Sequence, residues 1–176
     1  MKGQYFSFDA IIATVIMVIA FITLVAYWLG AQSIIDSRAN NTYADAIRVA
    51  DSLFAPGSPS NWGDSSVPLA NIQQIGLSNN FDNQFNLTKV KRLSILANPL
   101  GTLTTQSNYP AIANLFRVNN FYILIESTDG QPIYSTFTTI QIGSNNFVSA
   151  REISVANRGA TINGKAVRMR VYVFTT

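Results

Sequence analysis

The chain contains neither cysteine nor histidine. Without cysteine there is no disulfide and no thiolate nucleophile, and the redox compartment cannot be read. Without histidine the commonest general base and the commonest metal ligand are both missing, which excludes Cys–His pairs and Ser–His–Asp triads. Glu126 and Glu152 are the only glutamates, and nothing in their spacing pairs them as acid and base for glycoside cleavage. No glycine-rich run matches a phosphate-binding loop, and no Asp cluster has the spacing of a Ca²⁺ loop. The expectation is a protein that is not an enzyme, with no metal and no cofactor. Charge is scarce as well. Asp, Glu, Lys and Arg make up only 12% of the chain, with a net charge of +3, so the polar surface must come from Asn, Ser, Thr and Gln.

What the chain does have is a long apolar run. From Ala10 to Ile35 there is no charged residue, and Ile, Val, Ala, Leu and Phe dominate through Leu29. About 20 helical residues cross a hydrocarbon core, so this run is long enough to span. A secretory signal would be shorter and would end in small residues, whereas Tyr27-Trp28-Leu29-Gly30 follows here. Lys2 precedes the run, and Asp36 and Arg38 nearly cancel after it. The positive-inside bias therefore favours a cytoplasmic N-terminus and an exported C-terminal part. Asp9 sits at the mouth of the run, where a carboxylate is costly unless neutralised, and such acids mark function.

Lys2, Gly3, Gln4, Phe6, Ser7, Phe8, Asp9 and Ala10 together resemble the N-terminus of type IV pilin-like proteins, particularly the archaeal ones. The resemblance implies a short basic leader, residues 1–3, cleaved between Gly3 and Gln4. It implies a helix that holds the subunit in the membrane and then bundles with its copies in the core of an extracellular filament. It further implies that Asp9 serves assembly by pairing with a cation, either a neighbour's N-terminal amine or Lys2. Copies of the chain, the membrane before assembly and the pilus assembly machinery would be its partners; no nucleic acid is expected. The Pro-Gly-Ser-Pro-Ser-Asn-Trp run at 56–62 is similar to a segment that follows the long helix in some archaeal pilin-like secreted proteins.

The helical pattern continues beyond the apolar run. Tyr43, Ala46, Ile47, Ala50, Leu53 and Phe54 recur at spacings of three and four, opposite Asp45, Arg48, Asp51 and Ser52. Pro56-Gly57 stops the pattern. This predicts a long helix over 4–55, apolar all round in 10–30 and amphipathic in 31–55, with Gly30 or Asn40-Asn41 as points of interruption. The remainder, 56–176, is large enough for one small domain. Within it Asn86 or Thr88 is placed to cap a short helix beginning near Leu87, while most of 62–118 carries little pattern.

The last third reads as β structure. Residues 121–126 and 133–140 flank a Thr128-Asp129-Gly130 turn, and Asn163-Gly164 separates 160–162 from 166–174. In the last of these, Val167, Met169, Val171 and Val173 alternate with Arg168, Arg170, Tyr172 and Phe174. The expected fold class is α+β: a long N-terminal hydrophobic helix followed by a small antiparallel β-rich domain. Two groups of cations, Lys89-Lys91-Arg92 and Arg151-Arg158-Lys165-Arg168-Arg170, read as solvated surface charge rather than a binding face. Two sequons, at Asn40 and Asn86, fit an exported, N-glycosylated domain. Two functions follow. One is a structural subunit of a cell-surface filament used for adhesion or attachment. The alternative is a monomeric, membrane-anchored surface binding protein, or a low-copy minor pilin.

Overall fold

The computed structural model describes residues 3–98 and 108–176. It has the expected α+β fold. A single helix, α1, runs over Gly3–Ser52, and neither Gly30 nor Asn40-Asn41 interrupts it. The chain divides into two compact units, Met1–Asn40 and Asn41–Thr176. The helix ends at Ser52, three residues before the expected 55, and the packing boundary lies at Asn40/Asn41. The second half of α1 is therefore part of the domain's own core.

Every described residue from Phe8 to Gly30 is exposed. The helix is long and apolar enough to cross a membrane, with a mean hydropathy of 2.7 over its most apolar window. Thr14 and Thr23 donate their hydroxyls to the carbonyls of Ala10 and of Ile19 and Ala20. Neither threonine therefore presents an orphan hydroxyl donor to an apolar surrounding.

In the second unit the buried stripe of α1 is Thr42, Ala46, Val49 and Ala50, continued by Leu53 just past the helix end, at spacings of three and four. Tyr43, expected on that face, is 53% exposed, and Val49 takes the place beside Ala46. A Leu or Val buried this way contributes about 1.5–3 kcal/mol. Trp62 is fully buried and donates its indole N–H to the Gly76 carbonyl. Gly57, at φ +83°, lies so close that an added Cβ would meet the Trp62 ring at 2.6 Å. The turn at 56–62 is thus a socket for an indole.

The sheet has the order β1-β4-β5-β2-β3: β1 is Gln84–Phe85, β2 Asn120–Ser127, β3 Thr139–Gly143, β4 Glu152–Ile162 and β5 Lys165–Thr175. It is antiparallel except for β1, which pairs parallel with Thr161 and Ile162. The β4–β5 hairpin turns at Asn163-Gly164, both at positive φ, the geometry that matches strand twist. The other expected hairpin is altered. Residues 133–138 do not form a strand, because Ser135 at φ +51° closes a tight turn with Tyr134 paired to Phe137. β3 begins only at Thr139, and Ile125 pairs with Ile140.

Val167, Met169, Val171 and Val173 face the core as expected. On the opposite face, Tyr122, Phe147, Tyr172 and Phe174 form an aromatic cluster with ring centroids 5.3–5.8 Å apart. Helix α2, Leu87–Leu96, begins beside β1 at one sheet edge and contacts β3 from the other. Helix α3, Tyr109–Phe116, ends at Arg117 in the left-handed conformation. Its terminal carbonyls, those of Phe116 and Arg117, accept from the Arg48 guanidinium of α1, a cation where a helix end favours one.

Most of the basic residues read as free surface charge are engaged within the domain. Lys89 is buried and donates to the carbonyls of Pro56 and Ser78. Lys91 lies over the Tyr134 ring, 3.2 Å from its centroid, and Arg92 donates to the Val67 carbonyl. Arg158 pairs with Asp51, Arg168 and Arg170 both pair with Glu126, and Lys165 donates to the Pro132 carbonyl.

Candidate functional site

Two regions stand out among the described residues. The first is the exposed apolar helix. Asp9 lies on it and is exposed, and no ion pair among the described residues engages it. Lys2 lies outside the described residues. Gly3 and Gln4 begin α1, but their side chains are also outside the described part. Among the described residues beside it in sequence, Phe8, Ile11 and Ile12 are 64%, 61% and 44% exposed. A carboxylate set in such a surface has to find a cation once other helices or lipid cover it.

The second region is a polar cleft of about 430 Å³ at the β1 edge, lined by Asn79, Asn80, Asp82, Gln84, Phe85, Asn86, Leu87, Thr88 and Asn163. A smaller cleft of about 260 Å³ adjoins it, sharing Asn79, Asn86 and Thr88 and reaching Asn61 and Lys89. The wall of the larger cleft is a loop tied by its own side chains. Ser78 donates its hydroxyl to Asp82 Oδ1, and the same hydroxyl accepts from the Asn80 and Asp82 amides. Asp82 Oδ1 also accepts from the Gln84 amide. The Ser78 hydroxyl, then the Gln84 amide, hold the Asp82 carboxyl below its ordinary value. Between Asn80 and Asp82, Phe81 is held at φ +56° with 79% of its surface exposed.

The two sequons have different surroundings. Asn86 is the N-cap of α2: its Oδ1 accepts from the Thr88 and Lys89 amides, and its Nδ2 donates to Asn79. The sequence offered Asn86 or Thr88 as the cap and Asn86 takes it; the cleft was not legible. Asn40 is exposed on α1, but the threonine of its sequon, Thr42, is buried and donates its hydroxyl to Glu152. No cluster of three or more acidic side chains able to hold a metal ion occurs among the described residues. No family model, no curated protein and no solved structure matches the chain.

Proposed function

We propose that the chain is a structural subunit of an extracellular type IV pilus-like filament, held in the membrane by α1 before assembly. One observation carries the reading. Every described residue of α1 from Phe8 to Gly30 is exposed, while residues 41–176 form a compact unit of their own. An apolar face that wide needs lipid or other apolar helices around it. Copies of the same helix supply such a surrounding, and Ala13, Ala20 and Thr23 allow close approach between helices. The N-terminal residues that resemble archaeal pilin-like proteins, with Asp9 beside the apolar run, support the same reading. Adhesion or attachment at the cell surface is the use it implies, through the assembly machinery of that class.

The polar cleft favours a second reading, in which the chain remains a single-pass anchored binding protein or enters filaments only as a minor component. Electron microscopy of shed surface material, with mass spectrometry of this chain, separates the two. Filaments whose bulk protein is this chain, starting at Gln4, are expected. Recovery of the chain only as a membrane-bound monomer would overturn the filament reading. Filaments retaining Met1 would overturn the leader cleavage and require a cation other than a new amine for Asp9.

A further inference from the structure

We propose that the cleft at the β1 edge is a binding site for neutral carbohydrate. Its approachable polar lining is made mostly of side-chain amides: Asn79, Asn80, Gln84 and Asn163 are all exposed. Each amide both donates and accepts, which is what adjacent sugar hydroxyls require of a partner. Asp82 adds a carboxylate with one oxygen tied to Ser78 and Gln84, leaving the other to accept from a hydroxyl. Phe81 does not line the cleft but stands on its wall, between the lining residues Asn80 and Asp82. It is an exposed aromatic side chain on a loop fixed by four hydrogen bonds, against which a sugar ring reaching past the cleft can rest its C–H face. A non-glycine residue is held at positive φ only where its surroundings over-determine it, and here the hydrogen-bonded loop does so.

The other ligand classes fit less well. An anion would need a free cation. Lys89 lines only the smaller cleft, and its ammonium is spent on two carbonyls. A metal ion would need more than the one carboxylate present. The assignment stands on the domain and does not require the chain to polymerise.

The test uses the full chain, made in a host that does not glycosylate, because a sugar on Asn86 would itself enter the cleft. It is held in a detergent without a sugar headgroup and probed by saturation-transfer NMR with methyl α-mannoside, maltotriose, lactose and chitotriose. Transfer to at least one is expected, with a dissociation constant in the millimolar range. Phe81→Ala and Gln84→Ala change exposed side chains and should keep the melting temperature while weakening binding about tenfold. The control Val148→Ala, at a residue 98% exposed, should leave binding unchanged. Beads carrying mannan and beads carrying a high-mannose glycoprotein distinguish free polysaccharide from protein-linked glycan as the source, and capture by either supports the assignment. It is overturned by no transfer to any of the four sugars, by binding that both cleft variants leave intact, or by preference for glucuronate or phosphate over the neutral sugars.

Discussion

Asp9 and Asn86 are single side chains with opposite kinds of surroundings, and each predicts its own behaviour on substitution. Asp9 has no partner among the described residues, and the domain's core is built from residues 46 onward. Asp9→Ala is therefore expected to give full-length, membrane-held protein with an unchanged domain and no filaments. Asp9→Glu keeps the charge but shifts it by about one methylene, and assembly should weaken without vanishing. Normal filaments from the Ala variant, seen by electron microscopy, would remove the charge pair as the source of register. Asn86, by contrast, has both ends of its amide engaged. Asn86→Ala should cost the domain about 1 kcal/mol through the lost cap, whereas Asn86→Asp keeps the cap and removes the sequon. Thermal melting of both variants, with glycopeptide mapping of native material, separates the two roles. Equal melting of Ala, Asp and parent would mean that the cap contributes nothing.

At the scale of elements, the important fact is which helix half belongs to the domain. Ala46, Val49, Ala50 and Leu53 are all fully buried, so a piece starting at Pro59 loses them together. The loss is about 5 kcal/mol or more, comparable with the whole stability of a small domain. A piece starting at Asn41 should fold, and one starting at Pro59 should show no cooperative melting by circular dichroism. Cooperative melting of the shorter piece would disprove the shared core. The elements legible in the sequence are those whose signal is local. The β4–β5 hairpin announces itself by Asn163-Gly164, α2 by its Asn86 cap, and β5 by strict alternation of Val and Met with polar residues. The elements that were not legible depend on distant partners. β1 is two residues long and exists because Thr161 and Ile162 pair with it. α3 is eight residues whose end is stabilised by an arginine 68 positions away. Residues 133–138 alternate like a strand but are consumed by a turn that Lys165 pins through Pro132. The cleft was illegible for the same reason, since Asn163 and Asn79 meet only through the β1–β4 pairing. Asp9, Asn40 and Asn86 were singled out by short local patterns, which mark a position and not a role.

At the scale of the whole molecule, few charges and no histidine leave a narrow set of groups to make stability depend on acidity. Asp82 and Asp129 are both held below the ordinary aspartate value of 3.8. The Ser78 hydroxyl is the leading cause for the first and the Ser127 hydroxyl for the second. A carboxyl depressed in the folded state contributes stability that is fully present above its unfolded value and lost as pH falls through its folded one. The melting temperature should therefore stay level from neutrality down to about pH 4 and drop below it. The double variant Asp82→Asn, Asp129→Asn should flatten that acid limb; an unchanged limb would assign it to other carboxyls. The way residues 41–52 of α1 are held within the second unit has a mechanical consequence. Within the domain that helix is fastened by Thr42 to Glu152, Arg48 to the Phe116 and Arg117 carbonyls, and Asp51 to Arg158. Tension along the helix loads these ties and the buried stripe together in shear, so detachment requires many contacts to fail at once rather than to peel in sequence.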